Sequence, residues 1–272
     1  QISFSLNQID PALTPPVGPP GLWPLASLVL LTSMAPFAMP QLMQKFYAIE
    51  STTAIKKGML ASTLFAILIG GVAYFVGSTS RIFLSPENAP MAFDMAGKPR
   101  FDILMPELLA NIIPASLSVV ILLLILSASM STLASLVLVS SSTFAKDFYQ
   151  GYVKKGISDA SLTRLMRLMS AVFVLVSVVL AYLEIDSIVA ILGISWGAIG
   201  SFFLGPFIWG LFYPGTSKAS AITAAILGLT LCLVLYFTGT PSPQAGTIGM
   251  LVSLIACPAM ELFRSLFAVR AV

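Results

Sequence analysis

The chain has 272 residues, of which 57% are hydrophobic and only 9% charged. An ordinary soluble domain is about a quarter charged, so these few charges cannot cover a water-soluble globule, and composition alone makes this an integral membrane protein. There is no histidine, which excludes serine–histidine triads, histidine zinc sites and histidine proton shuttles. The net charge of +3 gives no reason to expect nucleic acid as a partner. No catalytic constellation stands out, and the chain reads as something other than an enzyme. Cys232 and Cys257 both sit in apolar stretches without metal-ligand spacing and read as buried small hydrophobes.

The opening "QISFSLNQIDPALTPPVGPPGLWP" reads as a loop entering a span. It starts at Gln1 and shows no signal peptide, so the chain is expected to be a fragment or a processed product of a longer protein. A spanning helix needs about 20 mostly apolar residues. Seven segments qualify: Leu22–Gln44, Met59–Val76, Ile113–Phe144, Leu168–Leu183, Ile188–Phe212, Ala219–Phe237 and Ile248–Phe263. The third is longer than a bilayer requires, so it tilts or projects from the membrane. The last is the weakest, because Pro258 and Glu261 interrupt it. The apolar runs are continuous and do not alternate at a period of two, which favours helices over a barrel.

Basic residues set the orientation. With the N-terminus outside, the inner connections and tail hold Lys45, Lys56, Lys57, Lys146, Lys154, Lys155, Arg164, Arg167, Lys218, Arg264 and Arg270. The outer connections hold only Arg81, Lys98 and Arg100. Seven spans then leave the C-terminus inside. No charged residue falls in the middle of the first six spans, whereas proton pumps and relays carry intramembrane acids or histidines. Neutral oxygens and backbone are left to handle whatever this protein binds.

Three spans carry possible chemistry. The first has Pro36 and Pro40 near its centre, and each removes an N–H and frees a carbonyl one turn back. Such carbonyls must be satisfied by protein, water, ion or solute; the plainer reading is a proline kink. In the third span Ala128, Ser131, Thr132 and Ser135 share one helical face. Hydroxyls three and four residues on approach the Ala128 carbonyl, so three neutral oxygens converge, a set suited to a hard cation. The same face also reads as a small-residue packing surface. The fifth span holds Gly193, Gly197, Gly200, Gly205 and Pro206, with Trp196 among them either facing a solute or packing. Between Asp102 and Pro114 a stretch too short to span reads as a re-entrant or capping half-helix.

These segments resemble the sodium:solute symporter family. The third span's "LSASMSTLASLVLVSSSTFAKDFY" is similar to that family's signature helix through Ala128, Ser131, Thr132, Asp147 and Tyr149. "PQLMQKFYAIES" followed by "AIKKGM" resembles the segment after the family's broken sixth core helix, with Lys45 where Arg is usual, and "FDILMPELL" resembles the loop before the signature helix. The resemblance implies an all-α membrane protein forming the second half of an inverted-repeat, five-plus-five transporter core. Residues 22–212 would be the five-helix repeat and 219–272 peripheral helices, in a single incomplete transmembrane domain of residues 1–272.

It further implies Na⁺ as coupling ion at Ala128, Ser131 and Thr132, with no organic cofactor. A small organic solute would lie near Phe37, Met39, Gln41 and Trp196. The implied setting is the bilayer of the plasma membrane, and the implied partner a missing N-terminal half. Two alternatives stay open: a solute-sensing membrane module of a signalling protein, and a proton-coupled transporter of the same fold.

Overall fold

The computed structural model describes residues 2–15, 17–18, 21–43, 48–183 and 186–269. Lys45 and Arg270 of the charge pattern, and Lys45 of the family-like segment, lie outside them. Among the described residues the protein is helical, with no strand beyond an isolated bridge between Phe93 and Pro99. The helices are α1 (Ile2–Ile9), α2 (Leu22–Met34), α3 (Pro40–Met43), α4 (Thr52–Phe83), α5 (Phe101–Asn111) and α6 (Ala115–Ser142). After α6 come α7 (Asp159–Tyr182), α8 (Ile188–Phe212), α9 (Lys218–Phe237) and α10 (Ser242–Val269). A 3-10 turn at Ala35–Ala38 joins α2 to α3. A π-helical segment, Thr143–Val153, continues α6. Among the described residues six helices are long and apolar enough to span a bilayer and a seventh apolar stretch, Leu22–Ala38, is shorter, so the expected all-α membrane class with about seven spans holds.

Two expectations are corrected. The opening stretch is not all loop: Ile2, Leu6 and Ile9 stand at helical spacing and α1 forms there. It stops at Asp10, whose carboxylate accepts the Ala12 N–H at 2.8 Å and starts a 3-10 turn. The last span is not interrupted either, because α10 runs through both Pro258 and Glu261. Pro258 deprives the Leu254 carbonyl of its helical donor, and the Trp209 indole N–H of α8 donates to that carbonyl at 2.8 Å instead. The Glu261 carboxylate accepts from the Ser217 backbone N–H and the Ser220 hydroxyl. It thereby caps the start of α9, where a negative charge suits the helix dipole.

The chain divides into two compact units, Gln1–Ile82 with Ile188–Val272, and Phe83–Ser187. In the first, α8, α9 and α10 pack against one another, and α2 with its 3-10 turn lies on α8 and α10. All three long helices are apolar nearly all round, so no polar face selects the contact. Small residues do. A side chain on Gly197 would stand 2.6 Å from the Gly246 Cα, and Gly205, Gly228 and Gly249 are equally closed off by Ser253 and Ser201 atoms. Buried serines bond across the helices: Ser201 Oγ donates to the Gly246 carbonyl at 3.2 Å, and Ser253 Oγ accepts the Gly205 N–H at 3.2 Å. In contrast, the most apolar stretch of α4 buries none of its surface in this chain.

The second unit holds α5, α6 and α7. The loop before α5 is folded around Leu84, Ala89, Ala92, Phe93 and Leu108. The Asp94 carboxylate accepts the Ala96 and Lys98 N–H groups at 2.9 and 2.8 Å. Gly97, with φ +73°, supplies the left-handed turn that an L side chain resists. The short stretch after Asp102 is indeed a half-helix, α5, and the Ser118 hydroxyl donates to the Leu109 carbonyl at 2.8 Å to tie it to α6. α6 and α7 meet at Ser141 and Ser170, whose hydroxyls are 3.0 Å apart.

Candidate functional site

The first candidate lies within the second unit, on α6. The Ser131 hydroxyl donates to the Ala128 carbonyl at 2.8 Å, and the Thr132 hydroxyl to the same oxygen at 3.1 Å. One turn on, Ser135 repeats the pattern, donating to the Thr132 and Ser131 carbonyls at 2.8 and 3.1 Å. These are the separations expected when hydroxyls at i+3 and i+4 fold back on the helix carbonyls. The sequence-predicted triplet therefore comes together, and all three of its residues are exposed in this chain.

The chemistry of this oxygen set fits a hard, singly charged cation. Each hydroxyl has lone pairs left when its proton points to the Ala128 carbonyl, so the cluster presents neutral acceptors. Among the described residues no group of three or more His, Cys, Asp or Glu side chains could hold a metal. Hydroxyl and carbonyl oxygens are hard donors of the kind that suit alkali ions.

The second candidate lies within the first unit, at the break in the first span. The Ala35 N–H still reaches the Leu31 carbonyl, but Pro36 leaves the Thr32 carbonyl without an i+4 donor. The chain tightens into the 3-10 turn, then extends at Met39 (φ −88°, ψ 109°) before α3 restarts. The Pro36 carbonyl accepts from the Met39 N–H at 3.3 Å, and the Met39 carbonyl from Leu42 and Met43 at 3.0 and 3.1 Å. The break is thus a true discontinuity of the helix.

In a 3-10 turn residues i and i+3 eclipse. Ala35 and Ala38 therefore share one face, and both are buried with Leu31, Met39, Leu204 and Met250. Gly200 of α8 permits this approach: a side chain there would meet the Met250 sulfur at 2.5 Å and the Ala35 methyl at 3.5 Å. Trp196 is half-buried against the same cluster. So Met39 and Trp196 are brought together. Phe37, on the other side of the turn, is 53% exposed and stays outside the cluster, and Gln41 is half-buried on α3.

Sequence reasoning missed the part played by α10. The buried Thr247 hydroxyl donates to the Ser27 carbonyl at 2.7 Å, fixing α2 to α10, and Met250 packs under the 3-10 turn. The available signal was a threonine lodged between Gly246 and Gly249, a hydroxyl with close backbone approach on both sides.

A family model described as the sodium:solute symporter family matches residues 16–228. The high-affinity proline transporter PutP of Bacillus subtilis is 28% identical over 207 residues, covering 73% of this chain and 40% of the relative. The sodium/proline symporter of Haemophilus influenzae is 26% identical over 196 residues, covering 71% and 38%. The sodium/pantothenate symporter of the same organism is 23% identical over 260 residues, covering 91% and 51%. The chain thus spans between about two fifths and half of the length of these curated relatives. No solved structure gives a significant match.

Proposed function

The chain belongs to the sodium:solute symporter family, and on that footing we propose that it forms the C-terminal half of a sodium-coupled symporter for a small organic solute. The relatives are named as transporters and symporters, so the reading is a carrier and not an enzyme. The observation that carries it is the convergence of the Ser131 and Thr132 hydroxyls on the Ala128 carbonyl, at the positions where the chain resembles the family's signature helix.

In this reading Na⁺ takes the Ala128 carbonyl and the two hydroxyls as ligands, and the N-terminal half supplies the remaining oxygens. The solute lies at the broken span, beside Met39 and Trp196, with Phe37 and Gln41 flanking it. Residues 22–212 act as the second five-helix repeat, and α9 and α10 stand outside it. The first residues face the outside of a plasma membrane and the C-terminus the cytoplasm. Inward Na⁺ movement is then assisted by about 2.3 kcal/mol per charge for each 100 mV of membrane potential. Coupling is reciprocal: Na⁺ raises solute affinity by the factor by which solute raises Na⁺ affinity.

No charged side chain occupies the broken span, so the solute is held from this half by apolar surface, an amide and backbone. Proline and pantothenate, the solutes named for the relatives, are the first to assay. The test is uptake of each by the full-length protein in vesicles with and without a Na⁺ gradient. Uptake that is indifferent to replacing Na⁺ with choline overturns the proposal. Residues 1–272 alone are expected not to transport, because half of the ligands lie elsewhere.

A further inference from the structure

α6 and its π-helical continuation run without a break over 39 residues, Ala115–Val153. At about 1.5 Å per residue that is on the order of 55 Å, far beyond a hydrocarbon core of about 30 Å. The last turns therefore stand at or outside the membrane surface. Their composition changes accordingly. Phe144, Phe148 and Tyr152 form a ladder of rings, with centroids 5.5 and 6.5 Å apart. Phe148 is 53% and Tyr152 85% exposed.

The same segment and the residues after it carry Lys146, Lys154 and Lys155, and the first turns of α7 add Arg164 and Arg167, all exposed. The carboxylates within residues 143–167 are Asp147 and Asp159. Five cations against two acids give this end of the unit an excess of positive charge. At the other end the sign is opposite: Glu87, Asp94, Asp102 and Glu107 outnumber Lys98 and Arg100.

We infer that the π-helical end of α6 and the turn into α7 form a binding surface for anionic phospholipid headgroups. The rings seat in the interfacial layer, where aromatic side chains concentrate. The lysines and arginines take the phosphate oxygens, with charge complementarity choosing anionic over zwitterionic lipid. The π-helical segment keeps Phe148 and Tyr152 exposed, with Phe144 half-buried at its start. This surface shares no residue with the proposed solute and sodium positions. Its test reads lipid binding, not transport, and stands or falls independently of the symport proposal.

The experiment uses the full-length protein purified in a neutral detergent. Equal amounts of phosphatidylglycerol and phosphatidylcholine are added, and retained lipid is counted by native mass spectrometry. Phosphatidylglycerol is expected to be retained preferentially. A Lys154→Gln, Lys155→Gln, Arg164→Gln triple variant is expected to lose most of that preference, at about fivefold per cation. A Lys98→Gln, Arg100→Gln variant is expected to keep it. A second readout places an indole at the surface with Tyr152→Trp and compares quenching by brominated phosphatidylglycerol and brominated phosphatidylcholine. Stronger quenching by the anionic lipid supports the assignment. Equal retention of both lipids by the parent protein, an undiminished preference in the triple variant, or equal quenching by both brominated lipids overturns it.

Discussion

Small polar residues serve two opposite purposes in this chain, and the contrast between the α8–α10 group and α6 separates them. In α8–α10 the serines are buried and their hydroxyls bond across helices, as Ser201 does to Gly246 and Ser253 to Gly205. At the middle of α6, Ser131, Thr132 and Ser135 are exposed and turn back onto their own helix, as Ser131 and Thr132 do to Ala128. About a third of the most apolar stretch of α8 and of α10 is buried inside the chain, and none of that of α6. A hydroxyl spent between helices is adhesive. A hydroxyl folded back beside an exposed carbonyl leaves acceptor oxygens clustered on a surface, available to a cation or to another polypeptide. Both readings of such a face are open from the sequence; within this chain α8–α10 use theirs for packing, and the α6 face is left exposed.

The contrast can be broken most severely on its adhesive side. Gly205→Val forces a branched side chain into the Ser253 backbone; overpacking of this kind costs about 1–3 kcal/mol or more. The expected result is little correctly sized protein by fluorescence-detected size exclusion. Near-normal yield and melting temperature would mean that the helices are not in the contact described.

Next in size is Thr132→Ala, which is expected to leave folding intact but raise the half-saturating Na⁺ concentration for uptake by at least about tenfold, since a hydrogen-bonding group to a charged partner is worth about 1.5–3 kcal/mol. Thr132→Ser keeps the oxygen and is expected to restore most of the sodium response. Unaltered sodium dependence in the alanine variant would return the α6 face to packing.

A smaller effect is expected from Trp209→Phe, which removes the donor to the Leu254 carbonyl. The loss is about 1–3 kcal/mol if that buried carbonyl goes unsatisfied, read as a lower melting temperature. In a Pro258→Ala background the helix supplies its own N–H to Leu254, so the same change is expected to cost less. A double-mutant cycle measures the difference, and strict additivity would contradict the described pairing. Smallest is Phe37→Ala. Because Phe37 is exposed, outside the buried cluster, the melting temperature is expected to stay within the range of an ordinary surface change, about 0.5 kcal/mol. Any effect falls on the KM for solute.

Much of the fold was legible because bilayer spans are set by length and hydropathy, which need no knowledge of neighbours. The break in the first span was legible for a similar reason, since Pro36 and Pro40 alter their own backbone whatever surrounds them. What could not be read depended on partners far along the chain. Pro258 looks like an interruption until Trp209, 49 positions away, is found donating to the carbonyl it frees. Helices apolar on every side give no stripe to say which face is inward, so the contact of α10 with the broken span through Thr247 stayed hidden. The helix ends were also understated. α4 runs from Thr52 to Phe83, well past the apolar run Met59–Val76, because Ser51 caps it, accepting the Ala54 N–H at 3.2 Å, and polar turns outside hydrocarbon remain good helix. Phe37 was placed with the solute by the family resemblance; which face of the break is buried could not be read, and the threefold winding of the 3-10 turn selects Ala35 and Ala38 for it.

The bond from Thr247 to the Ser27 carbonyl gives the broken span an asymmetry of stiffness. α2 is clamped near its middle by a buried side chain of α10, while the extended residue Met39 interrupts helical continuity only five residues after α2 ends. Torsion applied to the span is expected to fall on the break at Met39 rather than on the clamped α2. A transporter built on this half would have the break and a proposed solute contact at the same methionine, and Met39→Pro, which fixes φ and removes the N–H given to the Pro36 carbonyl, is expected to disturb both.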